Sequence, residues 1–371
     1  MSGPKKALAP TAAALRRLRA IGLMSGTSLD GIDAALIETD GETVFATGAA
    51  LTLAYPPSLR ELLRGVLGGA PHAAVTPVDA ALTEAHAAAV EALMAQAGLA
   101  AAAIDLVGFH GHTIDHRPAE RRTWQIGDGA VLSRRLGLTV VGDFRSADVA
   151  AGGEGAPLAP LFHAALARSL ERPLAVLNLG GVGNVTWIGA DDRLLAFDTG
   201  PGNALLDDWV RRHTGALYDM DGALARSGRP DQAVVGRLLQ HGFFARRPPK
   251  SLDRNDFAAL SLDGLAVADG AATLVACTVA AVAAAARHFP VPPLRWIVTG
   301  GGRRNPAIMA ALGAALGAPV ERAEDVGWDG DALEAQAFGF LAVRSRYGMP
   351  LSLPETTGVA QPLTGGRLFL P

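Results

Sequence analysis

Apolar residues gather along this chain in short runs separated by glycine-rich turns, and the order of runs repeats. Ala20–Met24 reads as a buried strand and Ile32–Ile37 as its hairpin partner, joined by a turn containing Ser25, Gly26, Thr27, Ser28, Asp30 and Gly31. Asp40-Gly41 makes a second turn, and Thr43–Leu53 gives a third strand. Helical spacing predicts helices over Ser58–Leu67 and Val78–Leu99, parted by a Gly-Ala-Pro linker. Ile104–Phe109 is a short buried strand expected to end in a loop, His110-Gly-His112-Thr113, and Trp124 and Ile126 mark another strand. Asp128 caps a helix running through Leu136, and Thr139–Gly142 is a strand closing on Asp143-Phe-Arg145.

Ala151-Gly-Gly-Glu-Gly-Ala-Pro157 is the best linker candidate, followed by a helix to Leu170. Beyond Pro173 the opening design returns. Leu174–Leu179 is a strand, Gly180-Gly-Val-Gly-Asn184 a glycine turn, Val185–Ile188 its partner and Leu194–Phe197 a third strand. Residue identity between the halves is low, so the repeat is architectural. Two facing halves, each offering a glycine hairpin to one nucleotide, are the plan of the actin-like ATPase and sugar-kinase fold. The predicted fold class is therefore α/β, with two actin-like (ribonuclease H-like) domains. Each would be a mixed sheet opened by a glycine-turn hairpin and flanked by helices, with the nucleotide in the interdomain cleft. The expected boundaries are a basic tail over 1–19, a first domain over 20–170 and a second over 171–371, whose last segment can pack back on the first.

Composition agrees with this plan. The 371 residues exceed what one core usually supports. Hydrophobic residues make up 49% but aromatics only 5%, so the mean hydropathy of +0.23 reflects alanine more than a membrane protein. A formal net charge of −3 and a pI near 6.3 give no electrostatic reason to expect nucleic acid. A single cysteine, Cys277, excludes an internal disulfide framework and fits a reducing, cytoplasmic compartment. Lys5 and Lys6 precede a short alanine-rich run, but Pro10 interrupts it and Arg16, Arg17 and Arg19 follow; a frayed tail is expected, not a signal peptide. Gly270–Ala286 is uncharged but built largely of alanine, so a buried helix is expected in place of a membrane span.

Several stretches carry candidate chemistry. In the first turn, glycine and hydroxyl residues let bare backbone N–H groups converge on an anion, while Asp30 and Asp33 suit a hydrated magnesium ion. The turn lacks the lysine of a P-loop; taken alone, it could equally be a tight hairpin closed by turn formers. In Phe197-Asp198-Thr-Gly-Pro-Gly-Asn203 an apolar strand is expected to end at an aspartate placed for general-base work on a bound hydroxyl or water. An aspartate that merely caps the next helix would read the same way. Ile297-Val-Thr-Gly300-Gly301-Gly302-Arg-Arg-Asn305 joins a strand to a helix through glycines that let a flat adenosine approach.

His110, His112 and His116 with Asp115 could suggest zinc, but no cysteine and no helical pairing support it. Hydrogen bonding from His110 and Thr113 to a polar substrate suits the tract better. Arg145, beside Asp143, could hold a carboxylate bidentately or bridge the domains. Glu334 and Asp331 open the closing helix, where a cleft role and ordinary helix-start acids are both open readings.

Taken together, MSGTSLDGID, GFHGHTIDHRP, WQIGDG, DFRSADVAAGGEGAPLAP, LNLGGVGNVTWI, FDTGPGNALLDDW, TGGGRRNP and GDALEAQAFGFLA resemble the anhydro-N-acetylmuramic acid kinase family from about Ile21 onward. The resemblance implies an ATP-dependent enzyme of bacterial cell-wall recycling that opens the 1,6-anhydro ring with water and phosphorylates O6. It implies ATP contacts from Gly26, Thr27, Ser28, Leu29, Asp30, Gly31, Ile32 and Asp33, with Asp30 on Mg2+. Further ATP contacts fall on Gly180, Gly181, Gly183 and Asn184, and on Gly300, Gly301, Gly302 and Asn305. Asp198 would be the base; His110, Thr113, Asp143, Arg145 and Glu334 would meet the amino sugar. A homodimer is also implied. Two departures stand out: the family usually has glutamine where His112 stands, and Ser251–Phe257 departs from its usual Ser-Thr-Gly-Arg-Glu pattern. The competing readings are a conventional kinase of a free hexose or amino sugar and a catalytically silent ATP sensor.

Overall fold

The computed structural model describes residues 15–26, 29–252 and 256–371. The first sheet opens with a meander of β1 (Leu18–Ser25), β2 (Gly31–Thr39) and β3 (Val44–Ala54), antiparallel throughout. β4 (Leu106–Arg117) then runs parallel to β1, β5 (Arg122–Ile126) folds back on β4 as a hairpin arm, and β6 (Val140–Gly142) lies parallel to β4. The second sheet repeats this connectivity. β7 (Leu174–Leu179), β8 (Val182–Ile188) and β9 (Leu194–Pro201) form an antiparallel meander; β10 (Trp296–Thr299) is parallel to β7, and β11 (Val320–Arg322) is parallel to β10. The strand orders are thus β6-β4-β1-β2-β3 and β11-β10-β7-β8-β9, with β12 (Arg367–Phe369) added antiparallel to β6. The α/β duplication expected from the sequence is present.

Apolar side chains of the first sheet, including Ile21, Leu23 and Val107, pack with Leu82, Val90 and Leu93 of the helix His72–Ala97. A second core holds Leu177, Trp187, Phe197 and Trp296 against the helix Val267–Ala286. That helix is long and apolar enough to cross a membrane, but it is a core helix packed among its neighbours and against β9. A third core joins the two sheets, combining Ala20, Ile37 and Val141 with Val176, Ile188 and Ile297.

The helix Leu333–Arg346 lies against β1, β2 and β4 of the first sheet. Its approach is close enough to require glycine on both sides. A Cβ on Gly22 would strike the Ala335 carbonyl, one on Gly108 the Phe338 carbonyl, and one on Gly339 the side chain of Ile37.

Two expectations need correction. The stretch from His110 to His116 is not a strand-end loop: β4 continues through it to Arg117, with Gly111 at φ +72 where the pairing with β1 shifts register. Nor does β9 stop at Asp198; it runs to Pro201, which pairs with Val182. β9 is the edge strand of its sheet, where proline's missing N–H interrupts no inner ladder.

Candidate active site

A cavity of about 500 Å³ lies between the two sheets, and the candidate chemistry converges on it. The first half contributes Gly26, Asp30, Gly31, Asp33 and Arg145; the second contributes Gly180, Asn184, Asp198, Gly300 and Gly301, with Glu334 from the start of the closing helix.

Asp198 owes its placement to a bulge. Gly183 pairs with Gly200 but Asn184 pairs with Asp198, so Thr199 is the extra residue on β9. Such an insertion turns the adjacent side chain out of the regular alternation. The outer edge of β9 is covered by the segment 246–252. Asp198 N–H donates to the Lys250 carbonyl at 2.9 Å, and Leu252 N–H donates to Asp198 Oδ2 at 2.8 Å. Burial lifts the Asp198 carboxyl to about 7, with Glu154 adding to the rise while the Leu252 N–H, Arg145 and Arg246 oppose it.

Arg145 is held from behind. Its Nε and Nη2 reach His110 Nε2 at 3.1 and 2.9 Å, and Nη1 donates to the Gly155 carbonyl at 2.6 Å. His110 Nδ1 lies 2.9 Å from the Gly111 carbonyl, so the ring carries its proton on Nδ1 and accepts from the guanidinium at Nε2. Burial and the neighbouring Arg145 keep His110 neutral, pushing it well below the usual histidine range. Burial lowers Arg145 to about 10, against the attraction of Glu334, Asp148 and Asp198. The guanidinium therefore stays charged at neutral pH beside the cavity.

On the opposite wall, Asp33 accepts a 2.6 Å hydrogen bond from Thr52, its cross-strand partner on β3. Burial raises Asp33 to about 6; the Thr52 bond opposes this, and Glu334, Asp331 and Asp30 add like-charge repulsion. Burial also raises Glu334, restrained by a 2.8 Å bond from Asn178 Nδ2 and by Arg145. These are hard oxygen donors with surplus negative charge. No group of three or more acidic, histidine or cysteine side chains among the described residues could chelate an ion. One or two carboxylates completed by phosphate and water oxygens is the usual magnesium arrangement at a nucleotide, so Asp30, with Asp33 nearby, fits the metal.

The glycine turns leave room where side chains would intrude. Gly300, at φ +70, faces Asn178 and the Leu179 carbonyl, and a Cβ there would strike both. Beneath the first turn, Ser25 Oγ bonds His112 Nδ1 at 2.6 Å and also touches Tyr55 Oη. His112 is fully buried and held near 4 by that burial, so it braces the turn as a neutral ring away from the cavity.

Other sequence candidates lie elsewhere. Leu29 and Ile32 are in the first core, with Leu29 at φ +61. Gly183 packs against Thr199, Gly302 packs against Leu179, and Asn305 caps the helix Pro306–Ala315 through Ala307 N–H and Ile308 N–H. Gly181 is exposed and accepts from Gly202 N–H at 3.1 Å. Thr113 accepts from Gln125 at 3.2 Å, and His110 Nε2 accepts from Arg145 Nε at 3.1 Å. Asp143, at φ +54, borders a separate cavity of about 210 Å³ with Trp124 and Gln125. Thr27 and Ser28 lie outside the described residues, as do Asp253, Arg254 and Asn255 of the divergent segment. Sequence reading missed Asn178, Thr299, Arg304 and His163, all of which line the main cavity. Strand-end position could have indicated Asn178 and Thr299; His163, on a helix face, carried no signal.

Comparison with known proteins adds the following. A family model described as anhydro-N-acetylmuramic acid kinase matches residues 18–371. A protein of that name from Paramagnetospirillum magneticum is 60% identical over 355 residues, covering 95% of this chain and 99% of its own length. Another of that name, from Acidiphilium cryptum, is 60% identical over 362 residues, with 95% and 99% covered. Among solved structures, a ROK family glucokinase from Streptomyces griseus covers 89% of this chain and 100% of its own at 16% identity and a TM-score of 0.42, too loose a likeness to bear on function.

Proposed function

We propose, from the premise that this chain belongs to the anhydro-N-acetylmuramic acid kinase family, that Asp198 is the base of a coupled hydrolysis and phosphorylation in the cavity between the sheets. The chain is a kinase of anhydro-N-acetylmuramic acid and uses ATP. The lobes are assigned as 20–170 and 171–371, with the helix Leu333–Arg346 returning from the second to cover the first sheet and β12 extending that sheet beside β6.

The observation that carries the proposal is a buried carboxyl poised near neutrality in the same cavity as both glycine turns. A general base works best when its pKa lies close to the working pH. Asp198 takes a proton from water as the water oxygen bonds to C1 of the sugar. The C1–O6 bridge bond breaks with its electron pair on O6, and O6 bonds to the γ-phosphorus of ATP as the bond to ADP breaks. Arg145 orients the substrate's lactyl carboxylate, and its guanidinium is held in place by His110 behind it. Asn184, Gly180, Gly26 and Gly31 cradle the phosphates, and Gly300 and Gly301 admit the adenosine. Magnesium at Asp30 would neutralise charge on the transferring phosphoryl group.

Asp198→Asn keeps the side-chain oxygen that accepts from Leu252 but removes the base. Turnover should fall by roughly 10²–10⁴-fold with ATP affinity almost unchanged. Near wild-type turnover of this variant rules Asp198 out as the base.

A further inference from the structure

The segment that covers Asp198 is itself tied to the stretch between the two sheets, through a residue the proposed chemistry does not use. Glu154 sits in the glycine-rich stretch between the two sheets, and its carboxylate receives Ser251 Oγ–H and, at 3.5 Å, Arg246 Nη2. Both donors belong to the segment 246–252 that supplies Lys250 O and Leu252 N–H to Asp198.

The Glu154 backbone is fixed in turn. Its N–H donates to the Thr357 carbonyl at 2.6 Å, and its own carbonyl accepts from His116 Nε2 at 3.0 Å. Next to it, Gly155 N–H donates to Asp148 at 2.7 Å, and the Gly155 carbonyl accepts from Arg145. One short stretch therefore braces Arg145 on one side and the cover of Asp198 on the other.

We infer that Glu154 is a positioning residue: it reaches from the inter-sheet stretch to Ser251 and so holds Leu252 in hydrogen-bonding register with Asp198. The inference rests on Asp198 being the base. The charged groups acting on Asp198 are Glu154, which makes it a stronger base, and Arg145 and Arg246, which weaken it. Removing the Glu154 charge both deletes a repulsion and frees Arg246, and the two effects have the same sign. Asp198 should then lose its proton more easily.

Ser251 contributes its hydroxyl to Glu154 and Leu252 its N–H to Asp198, while the Leu252 side chain packs against the cluster of Phe243 and Phe257.

The test is the pH dependence of kcat/KM for wild type, Glu154→Gln, Glu154→Ala and Ser251→Ala, with Tm and ATP affinity measured alongside. Glu154→Gln keeps an acceptor for Ser251 while removing the charge. Its acid limb should move down by about one pH unit, with the plateau within about threefold of wild type. Glu154→Ala and Ser251→Ala should each lower the plateau by about tenfold or more. The double variant Glu154→Ala, Ser251→Ala should be no worse than the weaker single variant, since one link is broken in all three.

An acid limb that stays in place in Glu154→Gln, or full activity in Ser251→Ala, overturns the inference while leaving Asp198 as the base. A wild-type enzyme with no acid limb, or an active Asp198→Asn variant, overturns both.

Discussion

At the scale of single residues, function and stability pull Asp198 in opposite directions. Its folded pKa of about 7 lies above its ordinary value of 3.8, so between these pH values the native state holds a proton that the unfolded chain has lost. The group's contribution to stability is full below about pH 4 and disappears as pH rises through 7, whereas the base becomes competent over the upper part of that range. Asp198→Asn should therefore gain Tm over wild type as pH rises, by about a few degrees more at pH 8 than at pH 5, while remaining catalytically poor. A Tm difference independent of pH contradicts a strained carboxylate at this position. Much of this was legible in sequence: an aspartate beside a glycine-proline-glycine run, after a second glycine hairpin, pointed to Asp198. Its environment was not. The Leu252 N–H and the Lys250 carbonyl are backbone groups with no sequence signature, and Glu154 lies far before Asp198 in the chain. Sequence places His110 in a strand-end loop suited to hydrogen bonding a polar substrate; in the fold its bonds go to Arg145 and the Gly111 carbonyl.

At the scale of elements, the sequence defined the hairpins well because each pairs an apolar run with glycine punctuation. It failed where punctuation falls inside a strand. Gly111 bends β4 without ending it, and Gly200-Pro201 sits on an edge strand that continues past both signals. The contact between the helix Leu333–Arg346 and the first sheet depends on small residues meeting across sequence distance, a pattern invisible to local periodicity. Gly22→Ala tests it. A methyl group there collides with the Ala335 carbonyl in a packed core, which should cost about 1–3 kcal/mol or more and lower Tm by several degrees. An unchanged Tm would mean that the helix has slack to move away from β1.

At the scale of the whole molecule, two copies of one strand order face each other, and every charged group of the proposed chemistry lies along the seam between them. Asp33 is repelled by Glu334, Asp331 and Asp30 in a cavity that also presents Asp198 and Arg145, so a bound cation and a carboxylate-bearing sugar would relieve charge from both directions. Closure of the two halves on ATP and sugar together should contract the molecule. Small-angle scattering should then give a smaller radius of gyration with both ligands than with neither; superimposable profiles rule closure out.

The central claim is that one cavity couples water attack at C1 to phosphorylation at O6, and the most direct measurement is turnover in ¹⁸O-labelled water. The substrates to compare are 1,6-anhydro-N-acetylmuramate, N-acetylmuramate and N-acetylglucosamine, each with ATP and magnesium. ADP release with the anhydro sugar alone, and ¹⁸O at C1 of the phosphorylated product, is the predicted result. Turnover on the open sugars, or a product from the anhydro sugar without label at C1, contradicts it.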